Sequence, residues 1–180
     1  MRLPFFTVPQ WLRILGLVTL FSVAPSAWAV TLMPSGAPYL SVGAGAFNLV
    51  GAVDDAGYNH TPAEFDAEYQ SGFRFYGIGY MLGLLANTDG GVDGYAGFYA
   101  DLALTPHWIL TPEAAVSGYS RGNSKKMGSN FLFRLELGLA YQMDDGGRFG
   151  LKIAHLSNGD LYTRDPGENE LLVTYSFPLS

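Results

Sequence analysis

The chain contains no cysteine, so neither a disulfide framework nor a thiolate metal site is available and stability must come from pairing and packing. Charge is sparse: only 14% of the 180 residues are Asp, Glu, Lys or Arg, thin cover for a secreted soluble surface. Nowhere does an apolar run approach the roughly 20 residues of a membrane-spanning helix, so any crossing of a bilayer must be made by strands. Basic runs are missing too, and a net charge of −6 argues against nucleic acid as a partner. What the chain does have is 23 glycines and 26 aromatic Phe, Trp and Tyr residues, a composition suited to a β protein with crowded turns and an apolar exterior.

The N-terminus reads as a secretory signal, residues 1–29. Arg2 and Arg13 precede the apolar stretch Ile14 to Phe21, and Ala27-Trp28-Ala29 supplies a small-x-small cleavage pattern. The mature chain, residues 30–180, is then expected to begin near Val30. With the two signal arginines removed, its net charge falls to about −8.

After a lead containing Pro34, Gly36 and Pro38, eight strand-like segments follow at roughly 39–50, 63–71, 73–86, 92–104, 107–120, 129–142, 147–157 and 169–178. No composition break divides them, so they form one domain. Their number is even and several have the length of a tilted transmembrane strand, which predicts an all-β fold: an eight-stranded antiparallel transmembrane barrel of the bacterial outer membrane. In the sixth segment Phe131, Phe133, Leu135, Leu137, Leu139 and Tyr141 oppose Leu132, Arg134, Glu136, Gly138, Ala140 and Gln142, as expected for lipid outside and a polar interior. Side chains fill so narrow a barrel, and Arg74, Asp101, Glu113, Arg134, Glu136 and Lys152 are expected to pair there. A lipocalin-like soluble barrel would invert this arrangement and crowd aromatics into a ligand cavity.

The last hairpin carries the chemistry. Phe149, Leu151, Ile153, His155 and Ser157 share one strand face, opposite Lys152, Ala154 and Asn158; Asn169, Leu171, Val173, Tyr175 and Phe177 share one face of the next strand. His155, Ser157 and Asn169 therefore lie together on an apolar surface. With a periplasmic N-terminus the 158–168 loop is extracellular, which puts the three near the outer-leaflet interface. Residues two apart on a strand sit about 6–7 Å apart at the backbone, and neighbouring strands about 4.8 Å apart, so serine can reach histidine and Asn169 can orient the ring. That set suits nucleophilic acyl transfer, with imidazole taking the hydroxyl proton. The backbone N–H groups of Asn158 and Gly159 are the expected oxyanion donors. Glu168 and Glu170 are alternative orienting residues, but strand parity turns both inward unless a bulge shifts the register.

His155-x-Ser157-Asn158-Gly159 followed by Asp165-Pro166-Gly167-x-Asn169 resembles the signature of the PagL-type lipid A 3-O-deacylases, the acyloxyacyl hydrolases. Phe133-Arg134-x-Glu136 and Gly94-x-x-Gly97-x-x-x-Asp101 are similar as well. The resemblance implies an eight-stranded outer-membrane barrel whose serine esterase site faces the bilayer and removes the 3-hydroxyacyl chain ester-linked at position 3 of lipid A. It matches Ser157 to the nucleophile, His155 to the base and Asn158 to the oxyanion position. Where the best-known members have a glutamate, this chain has Asn169, which can orient a histidine but cannot stabilise imidazolium with a charge.

Other candidates read as structural. His60 lies in a polar loop and His107 at a turn; Trp108, Tyr162, Tyr175 and Phe177 suit aromatic girdles. Asp89-Gly90-Gly91-Val92-Asp93 lacks the ligands of a calcium loop and reads as a hairpin turn. Lys125 and Lys126, in the loop before the sixth segment, could touch anionic lipid phosphates, but two lysines read first as a solvated turn. No cofactor and no metal are expected. The expected partners are lipopolysaccharide or lipid A as substrate and the lipid of the outer membrane; a homodimer is left open. Two other functions fit the same residues, a catalytically silent structural or adhesive barrel, and phospholipid acyl hydrolysis or acyl transfer.

Overall fold

Neighbouring side chains separate sharply along these segments: Leu135 is 59% exposed while Arg134, next to it, is 1% exposed. The computed structural model, which describes residues 29–50, 54 and 56–179, has ten strands there, and that alternation runs through the eight longer ones. The ten are β1 (Thr31–Leu32), β2 (Tyr39–Ala46), β3 (Ala63–Phe75), β4 (Ile78–Asn87), β5 (Val92–Ala100), β6 (Leu102–Ala103), β7 (Trp108–Ser120), β8 (Phe131–Gln142), β9 (Arg148–Ser157) and β10 (Glu168–Pro178). The short β1 and β6 pair with each other at one rim. The other eight are antiparallel to their neighbours, and pairing of β10 with both β2 and β9, and of β7 with both β5 and β8, closes the sheet. Closure removes the sheet edge through which another chain could pair.

The exterior is apolar. Phe65, Leu84, Phe98, Leu135, Leu151 and Ile153 all stand exposed on it, and the soluble inside-out alternative is thereby excluded. The interior is charged, and its cations pair with carboxylates in two layers, while the buried Glu64 and Asp93 stand outside these pairs. Near the β1–β6 rim Asp101 accepts from Arg74 (2.7 Å) and Arg148 (2.9 Å). In the middle, Lys152 Nζ lies 3.0, 3.3 and 2.6 Å from Glu68, Glu113 and Glu136, while Arg134 bridges Glu136 (2.7 Å) and Glu170 (2.6 Å). The expected internal network is present, with Glu68, Glu170 and Arg148 added. Carboxylate oxygens of Glu68, Glu113 and Glu136 lie within 4.8 Å of one another, close enough for a metal, but the Lys152 ammonium already serves all three. Singly, such charges would cost several kcal/mol each; paired, they are tolerated.

Three boundaries differ from the sequence expectation. The second and third segments do not part at Ser71-Gly72. β3 continues to Phe75 through a register shift between Gln70 and Arg74, and the chain reverses at Tyr76 (φ 49°) and Gly77 (φ 82°). Gly72 resembles a turn residue for another reason: the N-terminal lead packs on it, Gly36 N–H donating to Gly72 O at 2.9 Å, and a Cβ there would lie 2.3 Å from Gly36 O. The fourth segment breaks at Asp101, which turns into the barrel to meet the two arginines. The first ends at Ala46 rather than at 50, because Phe47 turns inward, stacks on Tyr119 with ring centroids 6.2 Å apart, and Asn48 adopts φ 57°. The expected signal segment lies outside the described residues apart from Ala29.

Candidate active site

β9 and β10 run without a bulge from Arg148↔Ser176 to Leu156↔Glu168, so the period-two rule holds to the ends of both strands. His155 and Asn169 are direct cross-strand partners, and His155 Nδ1 lies 3.0 Å from Asn169 Oδ1. The amide has a second partner: Asn169 Nδ2 donates to Val50 O at 3.2 Å. With its nitrogen engaged there, Asn169 must present oxygen to the imidazole. Nδ1 then carries the proton and Nε2 is left as the basic nitrogen.

Ser157 is the last residue of β9, opposite Phe133 of β8, and it is half-buried while His155 is exposed on the outer face. Among the described residues no hydrogen bond joins Ser157 Oγ to His155. The β8–β9 pairing stops at Ser157, so the N–H groups of Asn158 and Gly159 lie beyond the ladder. The Asn158 side chain points the other way. It is fully buried, its Nδ2 donating to Met127 O (3.0 Å) and Arg164 O (2.7 Å), so only its backbone is available to an outward-facing site.

Both glutamate alternatives are displaced from the ring. Glu170 is buried inside the barrel against Arg134, and Glu168 accepts from Asn48 N–H at 3.0 Å, also inside. Without a bulge in β10 neither reaches His155, and Asn169 is the residue beside it.

The short segment after β2 frames the site. Leu49 N–H donates to Asn169 O at 2.8 Å, continuing the edge of β10, and Val50 O holds the Asn169 amide. Lys125 is fully buried rather than solvated; its Nζ donates to Asn48 Oδ1 (2.8 Å) and to Gly167 O. Burial holds this ammonium below the usual lysine range, with Glu168 and Asp54 acting in the opposite sense. Gly167, at φ 50°, backs the imidazole: a Cβ there would lie 3.1 Å from His155 Cε1. Asn48, Val50, Lys125 and Gly167 had no marker of such a role in the sequence beyond the glycine in the Asp165-Pro166-Gly167 turn, because each acts through a contact distant along the chain.

A groove of about 490 Å³ begins at His155 and Asn169 and runs along the outer wall between Leu49, Val50, Leu135, Leu137, Ile153 and Leu171. Its walls are aliphatic and its head is the imidazole. An apolar chain can lie in it with a polar link at the His155 end.

His60 and His107 stand apart from this site. His60 Nδ1 is 3.4 Å from Asp89 and its ring rests on Tyr58, whereas His107 stacks on Tyr141 at the opposite rim beside Trp108. Tyr175 and Phe177 pack edge to face at that rim as well, and Tyr162 is exposed in the 158–167 loop.

Comparison with known proteins agrees with the architecture. The crystal structure of the outer-membrane enzyme PagL superposes with a TM-score of 0.59 at 14% identity, covering 78% of this chain and 99% of that one. A de novo designed transmembrane β-barrel gives 0.56 at 9% identity over 83% and 100%, and the neisserial surface protein NspA 0.52 at 12% over 79% and 97%. No curated protein matches the sequence. The lipid A 3-O-deacylase (PagL) family matches over residues 54–178, a span that takes in seven of the eight wall strands together with His155, Ser157 and Asn169. This chain, an outer-membrane β-barrel of the Gram-negative type, therefore belongs to the lipid A 3-O-deacylase (PagL) family.

Proposed function

We propose that the barrel removes the 3-hydroxyacyl chain ester-linked at position 3 of lipid A, working from the outer leaflet with Ser157 as nucleophile, His155 as base and Asn169 as the group that orients it. One observation carries the reading: on the lipid-facing wall, an imidazole whose tautomer is set by Asn169 and Val50 O stands at the head of an aliphatic groove. Membership of a deacylase family supports the substrate class.

The acyl chain lies in the groove with its ester at His155. As Ser157 Oγ attacks the ester carbon, its proton passes to His155 Nε2, and the N–H groups of Asn158 and Gly159 receive the oxyanion. Collapse breaks the bond to the sugar oxygen, which takes the proton from the imidazolium and leaves as the alcohol. Water then attacks the acyl-serine by the same route and releases the 3-hydroxy fatty acid. No step uses a metal or cofactor. Asn169 holds the ring through Nδ1–H but brings no negative charge to the imidazolium, so positioning is its contribution.

Mass spectrometry of lipid A from cells expressing the protein tests this. Loss of one 3-hydroxyacyl chain is expected with the native sequence and not with Ser157→Ala. Unaltered lipid A in cells carrying correctly inserted native protein would leave a silent barrel, and released glycerophospholipid fatty acid would redirect the site to phospholipids. Export by cleavage after Ala29 belongs to the same proposal, and N-terminal sequencing of the mature protein should begin at Val30.

A further inference from the structure

Among the described residues, every cation that reaches solvent sits at one end of the barrel. Arg74, Lys125, Arg134, Arg148 and Lys152 are buried, while Arg121, Lys126 and Arg164 are exposed, and these three lie on the β7–β8 and β9–β10 loops beside the site. The opposite rim shows the reverse, with Asp144 and Asp145 exposed in the β8–β9 turn.

The two cationic loops form one frame. Asn158 Nδ2 ties Met127 O to Arg164 O, and Gly128, at φ 76°, comes so close to Arg164 that a Cβ would lie 2.1 Å from its carbonyl oxygen. Lys126 N–H donates to Asp54 Oδ2 at 2.8 Å. Arg121 and Lys126 are thus presented by a braced backbone, and with Ser129 and Asn130 they line a cavity of about 290 Å³. The acidic groups nearby are mostly engaged. Among the described residues, Asp54 accepts three backbone N–H groups, Asp165 accepts those of Asp160 and Gly167, Asp89 accepts from the Tyr58 hydroxyl, and Asp160 is exposed on the far loop.

The cavity stands in register with the candidate nucleophile. Ser157 is opposite Phe133, and Ser129 and Asn130 precede β8, three to four residues of chain before Phe133, a reach of at most about 10–14 Å. A sugar headgroup spans that reach and a single ion does not. Two strong cationic donors, a hydroxyl and an amide around one opening match a phosphate, which arginine and lysine bind by charge-assisted hydrogen bonds.

We infer that this cavity is a phosphate subsite, holding a phosphate monoester on the headgroup of the same glycolipid whose ester meets Ser157; it rests on the deacylase reading and sharpens its substrate recognition. The subsite draws the headgroup to the rim and sets which ester reaches the nucleophile.

Binding on a protein that cannot turn over separates this from the activity itself. The Ser157→Ala barrel, refolded in detergent micelles, is titrated with lipid A and with enzymatically dephosphorylated lipid A, and then again with Arg121→Gln and Lys126→Gln added. Both added changes lie in exposed loop positions, and heat-dependent gel mobility verifies the folded barrel. The expected result is about tenfold or greater preference for the phosphorylated lipid, collapsing toward unity in the Arg121/Lys126 variant. Equal binding of the two lipids, or a preference that survives both substitutions, overturns the subsite. Inorganic phosphate that binds the cavity as tightly as the phosphorylated glycolipid overturns the headgroup assignment. Absence of deacylation by the native protein would instead count against the activity and is read in the separate lipid A analysis.

Discussion

Asn169 and His155 face each other across the β9–β10 ladder with Oδ1 and Nδ1 3.0 Å apart, and the amide is turned that way by Val50, 119 residues earlier in the chain. A neutral amide thus occupies the place beside the proposed base, held by a carbonyl from a different hairpin.

Replacing Asn169 tests what that amide contributes. Asn169→Leu removes the acceptor and frees the ring, and deacylation should fall by about 10²–10⁴, the usual scale of a positioned acid–base group. Asn169→Asp keeps an acceptor and adds charge that favours protonated imidazole. Its deacylation rate should rise above that of the native protein. Steady-state rates on lipid A micelles across pH read both outcomes.

The two glutamates of β10 should behave as structural groups. Glu170→Ala leaves Arg134 with Glu136 as its remaining carboxylate partner inside the barrel, and breaking a buried pair commonly costs about 3–5 kcal/mol. Urea unfolding from lipid bilayers should show a lowered midpoint, while the protein that remains folded keeps its deacylase activity. Loss of activity without loss of stability would return Glu170 to the site.

Groove depth should set chain-length preference. Ile153 stands in the groove wall next to His155 on the same strand face, so Ile153→Trp shortens the space and Ile153→Ala lengthens it. Each methylene denied burial costs about 0.8 kcal/mol, roughly fourfold in kcat/KM. Competition between lipid A species differing in acyl length should show the tryptophan variant shifted to shorter chains.

Asp54 couples the loops to acidity. Desolvation raises its pKa, but N–H groups of Tyr58, Lys126 and Ala56 together with the Lys125 charge outweigh that and hold the carboxyl below the ordinary 3.8. A lowered folded-state pKa contributes stability that is fully present above the unfolded value and is lost as pH falls through the folded one. Loop order should therefore be independent of pH from 5 to 8 and fail only below about pH 4, and Asp54→Asn should remove that acid sensitivity. Amide hydrogen exchange at Lys126 and Tyr58 follows it.

Much of this is legible in the sequence alone. Alternation placed Arg134 against Leu135 and Glu170 against Asn169, and put His155, Ser157 and Asn169 on one wall, because a strand's two faces follow from parity alone. Parity failed only where the backbone departs from a regular strand. Ser71-Gly72 has the composition of a turn but is a close approach of the N-terminal lead, and Lys125 has the composition of a solvated turn but is an internal donor. Neither difference has a local signature.

Which side of the wall each residue occupies, and therefore that the chain is a lipid-facing barrel with a polar interior, is written in the order of residues along each strand. How Asn48 reaches Glu168 across 120 residues, how Val50 turns the Asn169 amide, and how the β7–β8 and β9–β10 loops join into one cationic rim were decided by closure of the sheet. The reason is physical: side-chain direction in a strand depends on the residue and its immediate neighbours, whereas these contacts exist only after distant strands have been brought edge to edge.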